Sequence, residues 1–209
     1  MNEMLKLTRA IDVLPGRKLT ELRAYSGAHP DFLLLNPKAV VMDLAQAYHT
    51  WIRECFPNAI RIADRFHVHG YVIESVQEVR RTIQNTLSPR AKAYLKANHR
   101  LLNPPAESFN EDSKKRLKTL LSYSPLLRSV WEWKEAFTTW YDSSPTFTVA
   151  KQGFERWFEQ GDRINHAAVR SALLDIKRYE SRLQRFVPFY AIRRIKSSAA
   201  VLSERNSHF

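Results

Sequence analysis

An α/β front of about 65 residues, leading into an all-helical region of about 140, is the architecture that the sequence predicts. Three observations predict it. Residues 40–67, VVMDLAQAYHTWIRECFPNAIRIADRFH, read as an apolar run ending in Asp43, an amphipathic helix, and a second apolar run ending in Asp64. Beyond His67 only helical periods remain. The positive charge is regional: residues 1–64 carry 8 Lys/Arg against 7 Asp/Glu, and residues 65–209 carry 25 against 14.

Taken in order, residues 5–13 alternate Leu5, Leu7, Ala10/Ile11 and Val13 and read as a strand. Pro15-Gly16 is a turn. Residues 17–25, with Leu19, Leu22 and Tyr25, read less cleanly as the hairpin partner. Residues 30–36 form a short helix opened by Pro30 and closed before Pro37. Residues 38–43 are a buried strand. Residues 44–56 place Leu44, Tyr48, Trp51, Ile52 and Cys55 on one helical face. Residues 59–64 are the next strand. Helices follow over 68–86, 89–102, 113–124, 125–141, 147–161 and 166–187, with 103–112 as a loop. Three blocks result: 1–67, 68–187 and a divergent basic tail, 188–209.

The composition excludes several classes. Apolar residues make up 44% of the chain, enough for a packed core. No apolar run is long enough to span a membrane, and MNEMLKLTRAID has no signal-peptide core, so the expected location is the bacterial cytoplasm, at the nucleoid. A single cysteine, Cys55, excludes an internal disulfide and a cysteine-based zinc cluster. HExxH, P-loop, GxSxG and CxxC motifs are absent.

The net charge of +12 favours a polyanion partner through counterion release. Between Glu78 and Glu107 lie Arg80, Arg81, Arg90, Lys92, Lys96 and Arg100, with no acid among them. These six are the candidate DNA-binding residues. The competing reading is a merely basic, soluble surface.

Asp43 and Asp64 fall 21 residues apart, one at the end of each apolar run. Carboxylates at the C-terminal ends of parallel strands are where an α/β sheet exposes its chemistry, and they suit Mg²⁺. Each is equally an N-cap for the helix that follows. Asp64 and His67, three apart, share a side of a helix start. They form a structural pair, a DNA-positioning pair or an approach to a metal. Trp133, Phe137, Trp140 and Tyr141 follow i, i+4, i+7, i+8, the face of a packed helix.

The run VVMDLAQAYHTWIRECFPNAIRIADRFHV is similar to the central segment of insertion-sequence transposases of the ISL-three type. Several separately constrained elements coincide: a strand ending in Asp, a polar stretch with Tyr, "fPnA", a strand, and "DRFHV". The likeness covers residues 38–70 strongly and 10–37 and 70–180 loosely. It implies a partial RNase H-like mixed sheet, strands two to five, followed by a large helical insertion. It also implies divalent metal, Mg²⁺ or Mn²⁺, and metal-dependent DNA cleavage and joining at the terminal repeats of a mobile element.

In the family two Asp and one Glu hold the metal. Asp43 matches the second catalytic carboxylate, and Asp64 and His67 match an accessory signature. Departures from the family pattern are as informative. Asp12 resembles the end of a second strand and not the first catalytic Asp, so the opening strand is expected to be missing. Glu204 stands in company only loosely like the family's final Glu motif, without its Gly or Ile-Lys. The implied function is a transposase catalytic-domain fragment, truncated at both ends and inactive alone. The alternative is a non-catalytic DNA-binding remnant that inhibits transposition. Its partners would be terminal-repeat DNA and a second copy, or an intact transposase in a mixed oligomer.

Overall fold

The computed structural model describes residues 14, 16–43, 45–144, 146–180 and 199–201. They divide into two units. The first runs to Asp64 and takes in residues 199–201. The second runs from Arg65 to Tyr179. No helix among the described residues is long and apolar enough to cross a membrane.

The first unit is built on a parallel sheet. Strand β1 (Ala39–Met42) is central, with β2 (Ile60–Ala63) on one side and β3 (Ala199–Val201) on the other. Ala39 pairs with Ile60 and Met42 with Ala63, while Ala39 also pairs with Ala199. Strands buried on both faces read as continuous apolar runs, which is how AVVM and most of AIRIA are written. Val40 and Met42 face the main core of this unit, shared with Leu22, Tyr48, Trp51, Ile52, Phe56 and Ala59. Ala39 and Ile62 form a smaller cluster with Val41 and Ile60.

Helices α1 (Leu19–Ala28), α2 (Pro30–Leu34) and α3 (Gln46–Cys55) complete the unit. Trp51 of α3 is the hub. Its ring stacks on Phe32 at 5.0 Å, and its Nε1 donates to Ser26 Oγ at 3.1 Å. Arg23 of α1 grips Glu54 of α3 with two hydrogen bonds, 2.9 and 2.6 Å.

Two expectations about this unit need correction. Residues 17–25 are not a hairpin strand; most of them form α1. Leu19, Leu22 and Tyr25 are spaced by three, which puts them on one helical face. Glu21, at the third helical position, accepts the Lys18 N–H at 2.9 Å and closes the first turn. The three described strands are all parallel. A strand also occurs after His67, at Ala199–Val201, where helical periods alone were expected. Three small residues carry no readable alternation, but an open edge of β1 can recruit them. The expected strand over 5–13 lies outside the described residues.

The second unit is helical: α4 (Arg65–Gln84), α5 (Pro89–Asn98), α6 (Glu111–Ser122), α7 (Pro125–Ser143), α8 (Phe147–Asp162) and α9 (Ala167–Glu180). Short 3₁₀ turns occupy His99–Leu102 and Ala106–Ser108. The starts are written in the sequence. Ser88, Asn110, Ser124 and Thr146 each accept a backbone N–H from the third helical residue. Each such cap stabilises by about 1 kcal/mol. Pro89 and Pro125 occupy first-turn positions where no N–H is needed.

Val68, Val72, Val76, Val79 and Ile83 form the buried stripe of α4, which packs on α7. Trp133 of α7 and Trp157 of α8 stack at 4.8 Å. Each Nε1 donates to the other's backbone carbonyl, at 3.2 and 3.0 Å. Gly161 lets α8 come this close, because a Cβ there would sit 2.7 Å from Trp133 Nε1. The aromatic set read as core is core: Trp133, Phe137, Trp140 and Tyr141 are all buried.

Lys134 is fully buried within this unit. Its Nζ donates to the Asn103 and Pro104 carbonyls, at 3.3 and 2.9 Å, and pairs with Glu135. Glu135 in turn accepts the Ala106 N–H at 2.9 Å. One lysine thus ties the 103–106 connection to α7. Burial pushes its pKa below the usual lysine value, partly offset by Glu135.

Candidate functional site: strand-end carboxylates and a basic helical surface

In the first unit the register sets the geometry. Met42 and Ala63 are the last paired residues of β1 and β2, and the Asp64 N–H donates to the Met42 carbonyl at 2.8 Å. Asp43 and Asp64 therefore follow the ends of adjacent parallel strands as neighbours, at the strand spacing of about 4.8 Å. The sequence separation of 21 is bridged by one strand–helix–strand step.

The cap reading of Asp43 fails. The residue preceding α3 is Ala45, and no side chain caps that helix. Asp43 instead pairs with Arg17, whose Nη2 lies 2.7 Å from Oδ2, and the Asp43 side chain is 19% exposed. Asp64 directly precedes Arg65, the first residue of α4, and keeps the position of a helix cap. His67 lies exposed in the first turn of α4. Glu204 and Asp12 lie outside the described residues.

Two adjoining carboxylates are the right kind of donor for a hard divalent cation. They do not complete a site. Among the described residues no group of three His, Cys, Asp or Glu side chains could hold a metal ion, and Asp43 already carries a guanidinium. Cysteine chemistry gains nothing here either, since burial pushes the Cys55 thiol pKa up.

In the second unit the six cations named from the sequence separate into two sets. Arg81 is held by Glu74 and Glu78 along α4. Arg80 is half-buried and donates to Gln77 and Gln84, at 3.0 and 2.8 Å; burial lowers its pKa. Both serve the surface of α4. Arg90, Lys92, Lys96 and Arg100 are exposed on α5 and the 3₁₀ turn after it. Lys92 Nζ donates to the Asn85 side chain, at 3.4 Å.

Helix α6 packs beside α5 and adds Lys115 and Lys118, both exposed. Lys114 and Arg116 are paired with Glu111 and Asp112. The sequence reading missed Lys115 and Lys118 because the acids Glu107, Glu111 and Asp112 interrupt the basic run. The i,i+3 and i,i+4 pairing on α6 consumes two of those acids and leaves these lysines free of ion pairs among the described residues.

The described residues thus give a parallel-sheet α/β unit with two strand-end aspartates, and a helical unit with exposed cations on α5 and α6. A family model described as "Transposase", for DDE transposases of the ISL3 type, matches residues 1–192. The chain belongs to that family. It is also similar to the transposase for insertion sequence element IS1001 of Bordetella parapertussis, 27% identical over 169 residues. That match covers 79% of this chain and 41% of the relative, so the chain spans about two fifths of the relative's length. No solved structure matches.

Proposed function

We propose that this chain forms part of the catalytic domain of a transposase that cuts and joins DNA at insertion-sequence ends, on a partial RNase H-like sheet. The observation that carries the reading is the placement of Asp43 and Asp64 at the ends of adjacent parallel strands. In this reading Asp43 is the carboxylate that would take Mg²⁺ or Mn²⁺, and Asp64 and His67 are accessory. Glu204 remains a candidate for the third acid. DNA runs along α5 and α6, contacted by Arg90, Lys92, Lys96, Arg100, Lys115 and Lys118. Arg80 and Arg81 support that surface from α4. The metal would supply Lewis-acid activation of the attacking oxygen.

The chain by itself is expected to bind DNA without strand transfer. Nicking of terminal-repeat DNA is measured with Mg²⁺ and with Mn²⁺, for the wild type and Asp43→Ala. A metal-dependent nick that disappears in Asp43→Ala would overturn the incomplete-site reading and make this chain a working nuclease. The Arg17–Asp43 ion pair favours a second reading, a non-catalytic DNA-binding chain that forms mixed oligomers with an intact transposase and inhibits it. Inhibition of such a transposase in a transposition assay, unchanged by Asp43→Ala, supports it.

A further inference from the structure

Arg17 reaches Asp43 from a built turn. The Glu21 carboxylate sits in the space that Gly16 leaves open, where a Cβ would displace it. The same carboxylate accepts the Lys18 N–H at 2.9 Å. Glu21 thus fastens the backbone on both sides of Arg17. The turn leads into α1, whose Leu22 is fully buried and whose Arg23 holds Glu54 of α3. Asp43 stands between β1 and α3. The elements that carry the two partners are therefore fixed to each other within the first unit.

The contact itself is a charge-assisted hydrogen bond. Arg17 Nη2 donates to Asp43 Oδ2 at 2.7 Å. The Arg17 side chain is 54% exposed and that of Asp43 19%, so the cation is the outer partner of a mostly covered carboxylate. It cancels the charge that a divalent cation would seek there. A guanidinium and a divalent cation on one carboxylate also repel each other, which costs roughly tenfold in metal affinity even in water-like surroundings. An ion pair with so exposed a guanidinium is weak enough to be exchanged.

We propose that Arg17 is a resident counter-ion that divalent metal must displace from Asp43, an autoinhibitory contact that closes the carboxyl edge of the sheet. The inference rests on the reading of Asp43 as the carboxylate that takes metal.

The test is a Mn²⁺ titration of the full chain, with free Mn²⁺ read by electron paramagnetic resonance and no DNA present. Wild type, Arg17→Gln, Arg17→Lys, Asp43→Asn and the double variant Arg17→Gln/Asp43→Asn are compared, each with a thermal melt to confirm folding. Arg17→Gln is expected to bind Mn²⁺ about tenfold more tightly than the wild type, the repulsion it removes. Arg17→Lys keeps the charge and should bind as weakly as the wild type. Asp43→Asn should bind least, and the double variant should show no gain over it.

The Nε–H resonance of Arg17 in arginine-labelled protein, assigned by its loss in Arg17→Gln, gives a second readout. Added Mg²⁺ should move it in the wild type toward its position in Asp43→Asn. A folded Arg17→Gln that binds Mn²⁺ no tighter than the wild type overturns the proposal; if Asp43→Asn still weakens binding in that case, the metal reading of Asp43 stands without the gate. A gain in Arg17→Gln that persists in the double variant overturns both. A gain in Arg17→Lys as large as in Arg17→Gln, or an Arg17 resonance that Mg²⁺ leaves unmoved, overturns displacement of a charge as the cause.

Discussion

The triple substitution Arg90→Gln, Lys92→Gln, Lys96→Gln tests the basic helical surface most directly. All three side chains are exposed on α5, and none has an ion pair among the described residues. Gln keeps helix propensity, so the change removes charge with little cost to the fold. If each cation neutralises one phosphate of a duplex, the slope of log K against log salt becomes shallower by about 2.7. At about 0.1 M salt the same counterion release is worth roughly 500-fold in affinity. The assay is duplex binding by fluorescence anisotropy across a salt series, with a melt to confirm folding. The control is Arg81→Gln, whose charge is already held by Glu74 and Glu78; it should change the slope by much less than one contact. A normally folded triple variant with an unchanged slope would refute the argument that this surface meets the DNA backbone.

Other consequences lie within each unit. Lys134→Met should destabilise the second unit by about 3–5 kcal/mol in urea unfolding, because it strands Glu135 and the Asn103 and Pro104 carbonyls. A neutral result would show that those groups reach water. Gly161→Ala should cost about 1–3 kcal/mol, since its Cβ would press on Trp133. Thermal melts and near-UV dichroism of the stacked indoles read that change. The Glu54 carboxyl is held below its usual pKa by the hydrogen bond from Arg23. Its folded value lies below its unfolded one, so its contribution is present above the ordinary glutamate range and fades as pH falls through the lower folded value. Arg23→Gln should therefore make stability less dependent on pH in that acid window, as followed by urea midpoints from neutral pH downward.

Local signals in the sequence located most of the elements. Prolines that open helices and the apolar periods along them each act over a few residues, so they survive reading in one dimension. The same holds for the apolar runs that end at Asp43 and Asp64. Residues 17–25 went astray because Leu19, Leu22 and Tyr25 are too few to separate a period of 2 from one of 3.6. Burial of Leu22 and Tyr25 against Trp51 and its neighbours decides for the helix.

By itself, the sequence determined the strand–helix–strand order, the two strand-end acids, the regional charge and the family likeness. Only the tertiary structure decided which charges are free. Arg80 and Arg81 looked like Arg90 and Lys96 in the chain, yet they are engaged along α4, while Lys115 and Lys118 emerge once their acidic neighbours pair elsewhere. Asp43 lost its cap role to Arg17, a partner 26 residues away. Arg61, in the apolar run of β2, is buried, and its Nε and Nη1 find no acceptor among the described residues. Charge pairing and desolvation depend on distances through space, set by the packing of elements far apart in the chain, and no pattern of neighbours along the sequence encodes them.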